Sequence, residues 1–100
     1  MAKIGDIFVA TWGWEQTNAD FFQVVAVTPK GVKIRHIKSK ENINPQSLTG
    51  TSMPIKNAFD EEAKTKRIYL FDGIEHFQAG ESFGSAELWD GNPVNISSYA

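Results

Sequence analysis

Alternating apolar and polar positions predict three consecutive β-strands in the first 40 residues. Residues 7–12 (IFVATW) are rich in residues that suit a pleated strand. Residues 21–28 (FFQVVAVT) are apolar on both faces, which favours a central strand. The stretch TPKG at residues 28–31 is a tight turn, and residues 32–40 (VKIRHIKSK) follow it as the third strand. The pattern therefore predicts an antiparallel meander.

The second half of the chain has a less regular pattern. Residues 41–50 (ENINPQSLTG) contain few apolar positions and predict a long loop. Residues 52–59 (SMPIKNAF) fit either an edge strand or a turn, because their proline cannot donate to a sheet ladder. Residues 59–67 (FDEEAKTKR) favour one or two helical turns, with acidic residues early and basic residues late. Residues 66–80 predict a second hairpin, with Asp72-Gly73 as its two-residue turn.

The remaining pattern completes a small all-β domain. Residues 85–93 (SAELWDGNP) predict a short last strand, and residues 95–100 predict a loosely ordered C-terminal tail. We therefore assign residues 1–94 to one domain of five to six strands with at most one short helix. This content predicts a small antiparallel SH3-like barrel, with an OB-like barrel as the alternative.

The amino-acid composition indicates a folded protein and excludes several kinds of site. With 41% hydrophobic residues among 100, the chain is typical of a folded domain, and the absence of cysteine excludes disulfides and thiolate metal sites. No apolar run is long enough for a signal peptide or a membrane span, so we expect a cytoplasmic protein. The net charge of −2 combines a basic segment 1–40 with an acidic segment 41–100. This balance does not fit a strong nucleic-acid binder.

The sequence contains no recognisable catalytic constellation. His36 and His76 lie on separate predicted strands, outside any ligand-spaced motif. There is no nucleophile elbow and no phosphate-binding glycine loop. The acidic residues 60–62 are interpreted as a solvated helix start, with a metal site as the weaker alternative. We therefore expect a protein that is not an enzyme, with no catalytic residue, no cofactor and no metal.

Residues 12–22 (WGWEQTNADFF) place aromatic residues around a polar loop. In a structural interpretation, Trp12 packs across the hairpin against Phe22 or Phe21. In a functional interpretation, Trp14 is an aromatic anchor at the rim, surrounded by polar groups that contact a partner protein. The two interpretations are compatible if one ring lies in the core and the other at the rim. The candidate protein-binding residues are Trp12, Trp14, Gln16, Thr17, Asn18, Asp20 and Phe22.

Two further hypotheses remain open. The basic third strand could bind RNA or single-stranded nucleic acid weakly through Lys33, Arg35 and Lys38, with a nearby tryptophan as a stacking surface. Charged strand residues that simply face solvent explain the same pattern. The other hypothesis is a structural role, as a homo-oligomer or a virion accessory protein.

The aromatic-polar stretch also carries a resemblance. The sequence GDIFVATWGWEQTNADFFQVV at residues 5–25 resembles a family of small uncharacterised proteins from bacteriophages, plasmids and bacterial genomes. The stretches TKR at residues 65–67 and LWDGNP at residues 88–93 are similar to the same family. Tyrosine is commoner in that family at Trp14 and Phe22. The resemblance implies no activity, but it implies an intracellular effector that binds a host or phage protein, for which a bacterial defence complex is one candidate.

Overall fold

Nine antiparallel strands build the fold in the computed structural model, which describes residues 2–98. No helix occurs in these residues, so none is present that could cross a membrane. The strands are β1 (Ile7–Trp12), β2 (Asn18–Thr28), β3 (Gly31–Ile43), β4 (Thr49–Phe59), β5 (Lys64–Lys66), β6 (Tyr69–Phe71), β7 (Ile74–Gly80), β8 (Gly84–Leu88) and β9 (Val94–Ser97).

The strands form one curled sheet in the order β6-β7-β8-β1-β2-β3-β4-β9, with β5 paired to β3 beside this path. Every pairing is antiparallel, and the sheet curls into a half-barrel. The prediction of an all-β fold built on a β1–β2–β3 meander is confirmed. The predicted number of five to six strands is wrong, since the structure has nine.

The β1–β2 hairpin is buried on both faces, which explains the apolar residues on both sides of β2. Alternate residues of a strand face opposite sides, so Phe8 and Phe22 enter one core cluster while Val9 and Phe21 enter another. The first cluster is completed by residues of β3, β7 and β8. The second is completed by Ile37 and by Ile96 of β9. Each fully buried large side chain stabilises the fold by about 1.5–3 kcal/mol.

The predicted long loop at residues 41–50 is wrong. β3 continues to Ile43 and β4 begins at Thr49, so only five residues separate the two strands. Asn44 closes this turn, because its carbonyl accepts a hydrogen bond from Leu48 N at 2.8 Å and its Oδ1 accepts one from Gln46 N at 2.8 Å. This end of β3 is exposed, so its residues lack the apolar alternation that marks a half-buried strand.

The other differences come from pairings between segments far apart in the sequence. The predicted helical turns at residues 59–67 are absent, because residues 64–66 instead pair as β5 with β3. Residues 94–97, mostly within the expected loosely ordered tail, form β9 along β4, where Ile96 is buried. Residues 99 and 100 of that tail lie outside the described residues. The β6–β7 hairpin around Asp72-Gly73 is confirmed, with both turn residues at positive φ.

Candidate functional site

The loop between β1 and β2 presents the aromatic-polar stretch at the surface. Gly13 has a φ of +133° and Glu15 a φ of +62°. A Cβ at position 13 would lie 2.3 Å from the Gln16 carbonyl oxygen, closer than real Cβ contacts. Glycine is therefore required at position 13, and the loop reverses tightly directly before Trp14.

The Gly13→Ala variant is expected to destabilise the protein by about 3 kcal/mol, because it combines the dihedral strain with the contact to Gln16. Gly73→Ala is the matched control. Gly73 also has a positive φ, of +76°, but nothing lies within 4 Å of a Cβ placed there, so it should lose only about 1 kcal/mol. Denaturant unfolding measures the free energy of unfolding of both variants. Equal losses would show that the loop can rearrange to accommodate a side chain at position 13.

The far end of the loop is attached to the last described strand. Thr17 N donates to Ser97 O at 3.3 Å and to Ser97 Oγ at 2.9 Å, and Ser97 N donates to Thr17 O at 3.1 Å. At the near end, Trp12 pairs with Asn18 in the β1–β2 register. The loop is thus fixed on both sides by strand pairing.

The two tryptophans of the loop have different environments. Trp12 is half-buried, and its ring meets the Phe83 ring edge-to-face, with the ring centres 5.7 Å apart. Its Nε1 donates a hydrogen bond to Asp20 Oδ2 at 2.5 Å. Trp14 is 88% exposed and makes no aromatic contact or hydrogen bond within residues 2–98. Trp12 therefore supports the hairpin, and Trp14 is the ring that a partner can reach.

A histidine held between two aspartates lies behind Trp12. His36 Nε2 is 2.7 Å from Asp20 Oδ1, and His36 Nδ1 is 2.7 Å from Asp60 Oδ1. The hydrogen bond to Asp20, together with Asp60, outweighs burial and raises the pKa of His36 to about 9. The same contact lowers the pKa of Asp20. At neutral pH the imidazolium donates from both nitrogens, joining β2, β3 and the segment after β4.

This arrangement predicts that the protein becomes less stable at alkaline pH. The pKa of His36 is higher in the folded protein than its ordinary 6.5, so the stabilisation is complete below about pH 6.5 and is lost as pH rises through about 9. Because the pair is partly exposed, we expect a loss of about 2 kcal/mol between pH 7 and pH 10. Urea unfolding should show this loss in wild type and in the control His76→Gln, but not in His36→Gln. Equal pH dependence in all three proteins would contradict it.

The structure brings part of the predicted binding set to one surface and places the rest elsewhere. Trp14 and Thr17 are exposed, and Gln16 is half-buried. Asn18 lies under the loop, with its Nδ2 buried and without a hydrogen-bond partner among residues 2–98. Asp20 is occupied by Trp12 and His36.

Phe22 does not lie on this surface. It is 4% exposed, and its ring makes edge-to-face contacts with the rings of His36, Phe77 and Phe83, with ring centres 5.3–5.8 Å apart. Phe22 pairs with Phe8 rather than with Trp12, so the predicted cross-strand contact with Trp12 is wrong. Phe83 contacts both rings and connects them. The burial of Phe22 follows from its position in the middle of β2, on the face that forms the first core cluster.

The basic residues predicted for nucleic acid do not converge. Lys33 and Lys38 are exposed, but they lie five positions apart on β3, about 16 Å along the strand, and on opposite faces of it. The Arg35 guanidinium lies 4.4 Å from the centre of the Phe59 ring and donates from Nε to the Glu61 carbonyl at 2.7 Å. The three residues therefore form no common surface.

The acidic residues 60–62 have a role that their local sequence does not indicate. They belong to the segment between β4 and β5, and Asp60 contacts His36. Within residues 2–98, no group of three or more histidine and carboxylate side chains is placed to hold a metal ion. No local signal could have found the Asp20–His36–Asp60 contact, because its members are 16 and 24 residues apart.

In comparisons with known proteins, no family model, no curated protein and no solved structure matches this chain. The resemblance of residues 5–25 to small phage and plasmid proteins therefore stays a prediction.

Proposed function

We propose that this protein is a non-enzymatic binding protein that docks onto another protein through the loop between β1 and β2. Its partner is a host or phage protein in the bacterial cytoplasm, and a component of a bacterial defence system is one candidate. The loop residues that contact the partner are Trp14, Gln16 and Thr17. Trp12 and Asp20 hold these residues in position.

The exposure of Trp14 is the observation that carries this proposal. Leaving a large indole 88% exposed gains nothing for folding. Exposed aromatic anchors surrounded by polar groups are typical of the energetic centres of protein interfaces. The loop is already held by Gly13, by the Thr17–Ser97 pairing and by the Trp12–Asp20 hydrogen bond. A partner would therefore lose little conformational entropy on binding it.

The environment of the histidine near this loop argues against acid–base catalysis. A histidine acting as a general base needs a neutral ring nitrogen with access to substrate. In His36 both nitrogens face carboxylates at 2.7 Å, and its pKa of about 9 keeps the ring protonated at neutral pH. His36 is better suited to hold strands together than to transfer protons.

Affinity capture from a bacterial lysate tests the proposed function. The immobilised full chain is incubated with lysate, with and without nuclease, and washed at low and high salt. We expect one protein to be retained after nuclease and high salt, because an aromatic anchor is nearly insensitive to ionic strength. Loss of all bound material under these conditions would contradict protein binding through this loop and indicate phosphate contacts.

The half-barrel also supports a finer fold assignment. We retain the SH3-like barrel as its proposed class, with the OB-like barrel as the alternative, because its first three strands form a consecutive antiparallel meander.

A further inference from the structure

Pairing of β5 with β3 gathers half of the basic residues at one edge of the sheet. Lys66 pairs with Val32 and Lys64 with Ile34, so these two lysines share one face of the sheet, whereas Lys33 pairs with Thr65 and lies on the other face of the same edge. A Cβ on Gly31 would lie 2.1 Å from the Lys66 carbonyl oxygen, so the β2–β3 turn and β5 touch. This edge brings together five of the ten lysine and arginine residues of the chain, which we call the basic edge: Lys30, Lys33, Lys64, Lys66 and Arg67.

No ion pair within residues 2–98 involves a residue of the basic edge, since both ion pairs found there belong to His36. Four of the five side chains are exposed and Lys66 is half-buried. A concentration of unpaired cations costs folding energy through mutual repulsion, and it attracts anions.

Exposed aromatic rings follow directly along the chain. Tyr69 and Phe71 are 39% and 63% exposed and occupy alternate positions of β6, so they share a face. Tyr69 stacks on His76 with ring centres 5.6 Å apart, and Phe71 meets the edge of His76 at 5.8 Å. Tyr69 lies three positions after Lys66 in the sequence, so its ring is within about 10 Å of the basic edge along the chain.

A groove lies between the β2–β3 turn and β6. It has a volume of about 480 Å³, and its lining includes Lys30 of the basic edge and Tyr69 of the two exposed rings. This volume is within the range of sites that hold small organic groups. Glu75, the carboxylate in the groove, accepts a hydrogen bond from Ala2 N at 2.8 Å.

We propose that the basic edge and the β6 aromatic rings form a binding site for single-stranded nucleic acid. Unpaired cations contact the phosphates, and Tyr69 and Phe71 stack with unpaired bases, which is the combination that such sites use. A duplex keeps its bases stacked within the helix and would gain little from these rings. This surface is separate from the Trp14 loop, and of the third-strand residues predicted for nucleic acid it retains only Lys33.

Fluorescence anisotropy with a labelled 12-nucleotide oligo(U) and oligo(dT) tests the site on the full chain. We expect wild type to bind at low salt, and the affinity to fall as salt rises. The double variant Lys64→Gln/Lys66→Gln should lose about 10-fold in affinity and reduce the salt slope by about 1.4, at 0.7 per lost phosphate contact. The matched control Lys38→Gln/Lys40→Gln removes the same charge from the distal part of β3 and should change affinity less than 2-fold.

The stacking part of the proposal has its own test. Phe71→Ala should weaken binding about 10-fold at constant charge, and a duplex of the same length should bind at least 10-fold more weakly than the single strand. Thermal unfolding of each variant checks that it is folded. The proposal is overturned if wild type does not bind at low salt, if both double variants lose affinity equally, or if duplex and single strand bind alike and Phe71→Ala has no effect.

Discussion

Replacing Trp14 by alanine is expected to weaken binding of the protein partner at least 30-fold while leaving the fold intact. Loss of an aromatic anchor at the centre of an interface costs about 2 kcal/mol or more, which corresponds to this factor. The ring is 88% exposed and has no packing partner in the described structure, so the free energy of unfolding should change by less than about 0.5 kcal/mol. Titration calorimetry with the captured partner and urea unfolding measure the two quantities.

Leu70→Ala is the matched control for Trp14→Ala. Leu70 is 70% exposed and lies on the β6–β7 hairpin, away from the loop between β1 and β2. Its loss should leave partner affinity within 2-fold of wild type. Trp14→Phe retains an aromatic surface and should recover part of the lost affinity. A Trp14→Ala variant that binds normally, or that loses 3 kcal/mol or more of stability, would show that position 14 is not a binding position at the rim.

Phe22→Ala is expected to have the largest effect on stability, a loss of about 3–5 kcal/mol in the free energy of unfolding. Phe22 contacts Phe77, Phe83 and the His36 ring, so its removal leaves a cavity in the first core cluster. For a domain of 100 residues this loss is a large fraction of the total stability. Urea and thermal unfolding, with each midpoint compared with wild type, measure it.

The Phe22→Leu variant separates packing from partner contact. Leucine fills most of the space, so this variant should remain folded with a smaller loss of stability. Because Phe22 is only 4% exposed, the folded Phe22→Leu protein should bind the partner as tightly as wild type. Weaker binding without a matching loss of stability would instead place Phe22 in the interface.

The local pattern was sufficient to predict the β1–β2–β3 meander and the β6–β7 hairpin. In both cases the signal lies within neighbouring residues: apolar strand segments joined by the turn at residues 28–31 or by Asp72-Gly73. The alternation in residues 7–12 also placed Trp12 on the same face as Phe8 and Ala10. That face forms the first core cluster, which agrees with the half-buried position of Trp12.

The features that depend on distant pairing were not predictable from local pattern. The local sequence of β5 is typical of a short charged helix, and it forms a strand because it pairs with β3 residues 30 to 34 positions away. The local sequence of β9 is typical of a polar tail, and it forms a strand because it pairs with β4. The His36 contact with Asp20 and Asp60 and the basic edge depend on these pairings. Phe22 was assigned to the binding surface because it follows the polar loop, although its position in the middle of β2 determines its burial.

Photocrosslinking from position 14 in living bacteria tests the central claim most directly. A photoreactive aromatic amino acid, p-benzoylphenylalanine, replaces Trp14 in one protein and Leu70 in a second, otherwise identical protein. We predict that illumination links position 14 to a single cellular protein, with the product unchanged by nuclease, and that position 70 gives no link to that protein. The same protein linked equally from both positions, or no protein linked from position 14, would contradict a binding site centred on Trp14.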